Sequence, residues 1–265
     1  QIGYYFYGKG ATANIGKADM NDGGFARTTL FRIANGANFA GNTVDPNTLQ
    51  PSNLEMTLTG EKSIGVLATG PGSTVDTGEA TFTVSGNGAA ALLLEGGAKG
   101  SISDKTTINL TGSNTTAGIV DGQAHQLNGK ELNQPVETHL TSNATITSAA
   151  DGLNVVAYVA KNLGNIILGS NAITDLASKN SIGVDLQEGG RLTNTTSTAM
   201  HVNNGIGVRA SGKDAQIKKL GTIEVDDGIA GVLLTNGATL DIAASEGSLA
   251  DTITTKGTAD GIRLD

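Results

Sequence analysis

The side chains that most often carry chemistry are few in this sequence and stand far apart. The three histidines, His125, His139 and His201, are solitary, and none belongs to an HExxH pair or another helical metal spacing. Cysteine is absent, which excludes a thiolate zinc site, a cysteine nucleophile and a disulfide framework. His125 and His139 flank one stretch of the chain, but two polar loop histidines are a simpler interpretation than a metal pair. The sequence therefore predicts neither a metal site nor a cofactor.

Paired carboxylates are the second chemistry to consider, because glycoside hydrolysis needs two carboxyl groups about 5 to 10 Å apart. The one Asp-Asp pair is Asp226-Asp227, and adjacent residues of a strand point to opposite faces. Asp227 also precedes Gly228 and fits a turn. The sequence contains no nucleophile elbow, phosphate-binding loop or dinucleotide fingerprint. We therefore expect a protein that is not an enzyme. A carbohydrate-active enzyme is the alternative, since stacked coils could bring distant carboxylates together.

Charge and hydropathy exclude two further classes of protein. The net charge of −8 argues against a nucleic-acid partner, which calls for a clustered basic face. The longest uninterrupted apolar runs, 89–94 and 155–160, have six residues, whereas a membrane-spanning helix needs about 20. We therefore expect no transmembrane segment in this chain. The sequence does not begin with Met and shows no signal peptide, so we expect it to be a piece of a longer precursor.

The elements that carry these residues repeat along the chain. A four-residue motif that combines a small residue with branched apolar residues recurs along the chain. The distance from its second residue to that of the next copy is mostly 24 to 27 residues, with two longer intervals of 38 and 30 residues. Such a period is typical of a solenoid. The copies are Ile64-Gly65-Val66-Leu67, Ala90-Ala91-Leu92-Leu93, Ala117-Gly118-Ile119-Val120, Val155-Val156-Ala157-Tyr158, Ile182-Gly183-Val184-Asp185, Ile206-Gly207-Val208-Arg209, Ala230-Gly231-Val232-Leu233 and Asp260-Gly261-Ile262-Arg263.

Short alternating segments lie between these phrases. Segments such as 81–84 and 222–225 alternate polar with apolar residues, which is typical of a short strand with one buried face. Asp-Gly or Asn-Gly pairs, which favour tight turns, occur ten times. Three strands and three turns then make one coil. The sequence therefore predicts an all-β chain folded as a parallel β-helix with coils of about 24–27 residues. A β-sandwich with hairpins is the alternative fold.

Two regions depart from the repeat and divide the chain. Residues 1–55 hold seven of the nine aromatic residues. We expect them to form an irregular or early-coil segment that caps the core, with an aromatic binding surface as the alternative. Residues 56–265 are expected to form the β-helix repeats. Within them, 121–138 exceeds one coil by about a dozen residues and should bulge outward as a loop, either solvated without a partner or functional.

The candidate binding residues lie in this extra loop: His125, Asn128, Lys130, Glu131 and Glu137. A loop that projects from a flat coil can form one side of a groove, with the neighbouring coils as the other side. These residues supply both signs of charge, an amide and a pH-sensitive imidazole, so they are expected to contact a glycan or matrix ligand. Self-association would instead use flat faces rich in Asn and Thr, where many hydrogen bonds of about 1 kcal/mol each add up.

The Ile-Gly-Val phrases at 64–66, 182–184 and 206–208 and the Ala-Gly-Val phrase at 230–232 occur together with abundant Asn, Gly and Thr and no cysteine. With these features the chain resembles the passenger domains of bacterial autotransporters, the adhesin-like type V secreted proteins, over about residues 56–265. The resemblance implies a right-handed β-helix on the surface of a Gram-negative cell or secreted from it. Attachment would be through an outer-membrane β-barrel that is not present in this chain.

The function expected from the repeat and the resemblance is that of a cell-surface adhesin. Its partners would be copies of itself on neighbouring cells, which gives aggregation and biofilm, and a host glycan or matrix component. Two alternatives stay open. One is a carbohydrate-active β-helix enzyme, and the other is a structural stalk for a tip encoded outside these residues.

Overall fold

The chain folds as a solenoid of parallel β-strands with about nine turns. The computed structural model describes residues 1–41, 53–125, 134–194, 199–241 and 251–265. Every regular element in these ranges is a strand, and each strand pairs in parallel with its counterpart one coil away. The predicted all-β parallel β-helix is thereby confirmed. The alternative β-sandwich is wrong, because no described strand pairs with the strand that follows it in the chain.

The chain passes through three sheets in the fixed order A, B, C, so each coil contributes one strand to each sheet. Sheet A consists of β1 (Ile2–Tyr7), β4 (Thr29–Ala34), β7 (Ile64–Thr69), β10 (Ala90–Glu95), β13 (Thr116–Asp121), β16 (Val156–Lys161), β19 (Ile182–Gln187), β22 (Ile206–Ser211), β25 (Ala230–Thr235) and β28 (Asp260–Leu264). Sheet B consists of β2 (Thr12–Asn14), β5 (Asn38–Ala40), β8 (Thr74–Asp76), β11 (Lys99–Ile102), β14 (Thr138–Ser142), β17 (Gly164–Leu168), β20 (Arg191–Asn194), β23 (Gln216–Ile217) and β26 (Thr239–Leu240). Sheet C consists of β3 (Ala18–Asn21), β6 (Leu54–Leu58), β9 (Ala80–Val84), β12 (Thr107–Leu110), β15 (Thr145–Ser148), β18 (Ile173–Leu176), β21 (Ala199–Asn203), β24 (Thr222–Asp226) and β27 (Thr252–Lys256).

Stacking in register builds the core as columns of side chains. In sheet C, Phe82, Ile108 and Ile146 are successive partners, and all three are fully buried. In sheet B, Leu140 and Ile166 form part of an equivalent column. In sheets B and C alternate residues of each short strand point into the lumen, because the side-chain period of a strand is two. No coil can cover its own apolar side, so burial stabilises the fold only when the coils are stacked.

The register corrects the repeat alignment in two coils. Leu92 pairs with Gly118, and Gly118 pairs with Tyr158. The phrase of β13 therefore begins one residue earlier, and that of β16 one residue later, than the sequence pattern places them. Gly118 lies in the lumen, where a Cβ would stand 2.9 Å from Leu140 Cδ2 and 3.4 Å from Tyr158 Cδ1. This glycine makes room for Tyr158, the largest fully buried side chain, and is not equivalent to the glycines of the other phrases.

The described part of segment 1–55 is built of the same coils. Strands β1 to β5 belong to the three sheets, and β4 and β5 pair with the coil that follows. Phe31 and Phe39 are buried with ring centroids 5.2 Å apart, and Tyr4 stacks on Phe31 at 5.3 Å. Residues 42–52 lie outside the described residues. Aromatic rings thus fill the lumen of the first coils, whereas the lumen of the later coils is mainly aliphatic, with Phe82 and Tyr158 as its aromatic members.

Asparagines form the corner between sheets C and A. Asn114, Asn154, Asn180 and Asn204 have φ values between 54° and 58°. This left-handed region is one that Asn tolerates better than most residues. Asn114 Nδ2 donates to Asn87 Oδ1 at 2.7 Å, and Asn154 Nδ2 donates to Asn114 Oδ1 at 3.1 Å. The amides therefore form a ladder along one border of sheet A.

Loss of a buried hydroxyl pair should destabilise the solenoid. Tyr158 is fully buried, and its hydroxyl lies 2.7 Å from Ser142 Oγ. Tyr158→Phe removes one partner of this hydrogen bond, so we expect the free energy of unfolding to fall by about 1 to 3 kcal/mol. Ser142→Ala should have a similar effect, and the double variant should lose less than the sum of the two. Urea denaturation measures these changes, with the exposed Tyr5→Phe as a neutral control. Strictly additive losses would show that the two hydroxyls do not interact.

Candidate interaction face

His125, a predicted loop residue, lies against a buried carboxylate. His125 Nδ1 is 3.0 Å from Glu95 Oε1, and the backbone N–H of His125 donates to Glu95 Oε2 at 3.4 Å. The hydroxyl of Thr69 also donates to Glu95, at 3.4 Å. Burial raises the pKa of Glu95, and the nearby imidazole opposes part of that rise. His125 thus contacts the side chain of Glu95, the last residue of β10, close to the point where the 121–138 connection begins.

Asp121 is the register neighbour of Glu95 and has its own set of partners. Lys161 Nζ lies 3.0 Å from Asp121 Oδ2, and Asn162 Nδ2 donates to Asp121 Oδ1 at 2.8 Å. The backbone N–H of Gln123 donates to the same oxygen at 2.9 Å. Both carboxylates are buried, but their surroundings differ, since Glu95 lies beside an imidazole and Asp121 is paired with an ammonium group.

Glu137, the other predicted binding residue that the structure describes, makes long ion pairs. Its carboxylate lies 3.7 Å from His139 Nε2 and 3.6 Å from Arg191 Nη1. Within the described residues no group of three His, Asp or Glu side chains is placed to hold a metal ion. The other predicted contacts, Asn128, Lys130 and Glu131, lie outside the described residues. That these five residues form a binding loop stays a prediction.

The outer surface of sheet A is aliphatic along most of its length. Val66 and Ala68 are fully buried in the lumen, so Leu67 between them points outward. The register carries this position from coil to coil. The first residue of each strand also faces outward, since Ile182 and Ile206 pack with Leu233 in a cluster separate from the lumen. We call the outward aliphatic residues from β7 to β25 the aliphatic stripe: Ile64, Leu67, Leu93, Ile119, Val156, Val159, Ile182, Ile206 and Leu233.

Part of the stripe packs as a hydrophobic cluster separate from the lumen. Ile182, Ile206, Leu233 and Ala230 form this cluster, and Val156 packs against it. Parallel strands buried on both faces read as near-continuous apolar runs, whereas strands with one solvated face alternate. The runs 89–94 and 155–160 fall on β10 and β16 of this sheet. These runs are therefore the sequence signal of the outer face, besides being too short for a membrane span.

A charged pair interrupts the stripe. Arg209 is the register neighbour of Asp185 and donates two hydrogen bonds to it, Nε to Oδ1 at 2.8 Å and Nη2 to Oδ2 at 2.7 Å. Gln187 Nε2 donates to Asp185 Oδ2 at 2.7 Å. Asp185 is only 2% exposed although it lies on the outer face. Bidentate pairing is the strong form of the Arg–carboxylate interaction, and here it neutralises both charges within the face.

A groove of about 480 Å³ lies between the stripe and the asparagine corner. Val156, Ile182 and Ile206 line it with aliphatic groups, and the amides of Asn114, Asn154 and Asn180 line it with donors and acceptors. An apolar centre bordered by polar groups is the usual anatomy of a protein–protein interface. The outer face of sheet A therefore has the composition of a contact surface.

The outer face of sheet C has the opposite character. His201 Nδ1 lies 2.9 Å from Asp175 Oδ1, and His201 Nε2 lies 3.3 Å from Asp226 Oδ2. Lys256 pairs with both Glu224 and Asp226. Burial lowers the pKa of His201, but the hydrogen bonds of the two carboxylates outweigh burial and raise the pKa above its ordinary value. This face is polar, partly exposed and rich in acidic groups.

Comparisons with known proteins identify no relative of this chain. It matches no protein-family model, no curated protein and no solved structure. Among the described residues there is no helix with the length and hydropathy needed to cross a membrane. The assignment of a function accordingly starts from the geometry of the outer faces.

The stability of the solenoid should fall with rising pH as His201 loses its charge. A histidine with a raised folded pKa stabilises the folded state below its unfolded pKa of 6.5, and this contribution is lost as pH rises through the folded pKa. Urea midpoints measured between about pH 5.5 and pH 8 should therefore drop more in the native sequence than in His201→Gln. Asp175→Asn, which removes one of the two carboxylates, should give an intermediate slope. Equal slopes for all three proteins would contradict this assignment.

Proposed function

We propose that this chain is the solenoid of a cell-surface adhesin that makes side-on contact with another surface. The observation that carries the proposal is the aliphatic stripe on the outside of sheet A. Extended apolar surface on the outside of a protein marks sites of interaction. Because the coils stack at about 4.8 Å, a rod presents such a surface along its length and spreads the contact over many coils.

The finer assignment is to the passenger domain of a bacterial autotransporter, on the bacterial surface or secreted. The recurring Ile-Gly-Val phrases and the parallel β-solenoid support it. The absence of cysteine supports it too, since a chain without cysteine cannot be trapped by disulfides during export. Coils that contact only their neighbours can fold one after another. The partners in this proposal are a further copy of the chain and a host glycan or matrix component.

Cells that display the 265-residue chain should aggregate, or attach to a host matrix, more than cells that display the anchor alone. Deletion of 182–229 removes two whole coils and keeps the register, because Ile182, Ile206 and Ala230 are successive partners. An adhesive rod loses contact area and therefore adhesion in this variant, whereas a stalk changes only in reach. Settling rates and bound-cell counts measure the effect. Display of the native chain without any gain in either assay would reject the adhesin.

Glycoside hydrolysis is the second candidate function, and the neighbouring carboxylates Glu95 and Asp121 favour it. Register neighbours in parallel strands lie about 4.8 Å apart, close to the carboxyl separation of about 5 Å in retaining glycosidases. Burial raises the pKa of Glu95, as a general acid requires, and Lys161 pairs with Asp121. The two groups thus have the separated environments that acid and nucleophile need.

If this pair is catalytic, the purified chain should release new reducing ends from one of a panel of uronate-containing and host glycans. Glu95→Gln should abolish the release, because it removes the proton donor while keeping the shape of the side chain. Asp175→Asn removes a carboxylate on another sheet and should leave the release unchanged. A panel with no product from the native chain rejects the candidate.

A further inference from the structure

We propose that a second copy of this chain docks on the outer face of sheet A, with the aliphatic stripes of the two rods in contact. The inference rests on the proposed function and specifies both its partner and its surface. It differs from the sequence-based expectation that self-association uses flat faces rich in Asn and Thr. Three observations carry it: the size of the stripe, the distribution of charge among the sheets and the internal pairing of the charges on this face.

The size of the stripe fits an interface between two rods. The stripe runs from β7 to β25, which is six coil steps or about 29 Å at about 4.8 Å per step. A six-residue strand is about 20 Å long, so the whole outer face of these strands, with its charged residues, covers about 600 Å² on each copy. Leu67, Ile182, Ile206 and Leu233 are already at most 9% exposed, so the aliphatic residues with more exposed surface are the other five members of the stripe. Specific dimers typically bury about 800 Å² on each partner. The outer face of sheet A together with the adjoining asparagine corner therefore has the extent that a contact between two copies needs, with the stripe as its apolar part.

The distribution of charge decides which faces of two copies can meet, because two chains of net charge −8 repel each other. The strands of sheet A carry a net charge of zero, while those of sheet C carry five acidic residues and one basic residue. In sheet A the four basic residues are Arg32, Lys161, Arg209 and Arg263, and the four acidic residues are Glu95, Asp121, Asp185 and Asp260. In sheet C the acidic residues are Asp19, Glu55, Asp175, Glu224 and Asp226, and the basic residue is Lys256.

Sheet B has neither a net charge of zero nor an apolar outer surface. Its strands hold two basic residues, Lys99 and Arg191, and one acidic residue, Asp76. Its outward positions are mainly polar, as the partners Thr141 and Ser101 illustrate. The strands that carry the stripe, β7 to β25, hold three acidic residues and two basic ones. Among the described strands, sheet A therefore offers an apolar surface on which a second copy meets a net charge of only −1.

Two carboxylates on the stripe strands of sheet A, Asp185 and Asp121, are compensated within one copy. Asp185 is held by Arg209 and Gln187, and Asp121 is held by Lys161 and Asn162. A charge that already has its counter-ion and hydrogen bonds can be covered at lower cost than an unpaired one. Docking then needs no salt bridge between copies. Added salt should strengthen the dimer, because salt screens the repulsion between two acidic rods and leaves apolar contact intact.

The connections of the chain leave one border of this face accessible. The long connections 40–54 and 240–252 join sheet B to sheet C. The connection 121–138 leaves sheet A from the end of β13, on the side of sheet B. The border with sheet C has short connections and carries the asparagine ladder. A second copy can therefore lie along the stripe with the amide ladder as its polar border.

The test places the same charge on two faces and compares the results. Ile119 is an outward, partly buried member of the stripe on β13. Ile173 is an outward residue of β18 in sheet C and is 46% exposed. Ile119→Glu puts a negative charge into the proposed contact, and Ile173→Glu makes the identical change outside it. Circular dichroism checks that both variants keep the β-fold, and the β-branched Ile119→Thr replaces Ile119→Glu if the latter does not fold.

Sedimentation velocity of the purified chain over a range of concentrations and salt measures the dimer. We expect the native chain and Ile173→Glu to dimerise alike, and more tightly at about 0.5 M than at about 0.05 M salt. Ile119→Glu should raise the dissociation constant at least about tenfold, and Ile119→Thr should raise it less. A native chain that stays monomeric at every concentration overturns the proposal. Equal dissociation constants for the two glutamate variants, or a dimer that weakens with salt, also overturn it.

Display of the same variants on cells separates this proposal from the proposed function. If the native chain and Ile119→Glu aggregate cells equally, the adhesin stands and the docking face is wrong. If the native chain attaches cells to a matrix but forms no dimer, the adhesin stands and the second copy is not the partner. If the native chain gives neither adhesion nor dimer, both proposals fail. Aggregation that is lost in Ile119→Glu and kept in Ile173→Glu supports both.

Discussion

In-register stacking of parallel strands, at about 4.8 Å per coil, is the constraint on which the rest of this structure depends. Hydrogen bonds between strands run along the solenoid axis, so each residue lies on its counterpart one coil away. The register that stacks Ile108 on Phe82 in the lumen also places Arg209 beside Asp185 on the outside. Lumen and surface are consequently built by the same repeat. A substitution acts on a column that extends through several coils.

A column of stacked side chains accepts a large residue only where its neighbour is small. Tyr158 occupies the lumen because Gly118 stands below it, and the Tyr158 hydroxyl finds a partner in Ser142. A buried phenol without a hydrogen-bond partner would forfeit about 1 to 3 kcal/mol of what its ring gains from burial. In these two coils, a small residue, Gly118, is therefore paired with a large one, Tyr158, so that the lumen stays filled without a clash. It also explains why the repeat loses its regular phrase at this point of the chain.

The sequence predicts the parallel stack well, because the stack follows from a period and from alternation within short segments. It does not predict which face each residue takes in β13 and β16, since a shift of one residue exchanges inside and outside. Gly118 looks like the glycine of the other phrases, and only its contact with Tyr158 shows the difference. The aliphatic stripe can be predicted from the continuous apolar runs 89–94 and 155–160. The pairing of His125 with Glu95 is not readable, because the two residues are 30 positions apart and no sequence period links them.

The acidic charge of the rod and the neutrality of sheet A act together. An apolar stripe on an uncharged protein would associate with any apolar surface and in any orientation. On this chain the net charge of −8 lies outside the strands of sheet A, so close approach between copies through the acidic face of sheet C is opposed. Asp185 and Arg209 add a further restriction, because they interrupt one column of the stripe between Val159 and Leu233, while Val156, Ile182 and Ile206 continue beside them. A copy that slides along the axis would move methyl groups over the ion pair and lose apolar contact in that column. Repulsion thus selects the face, and the buried pair favours particular positions along it.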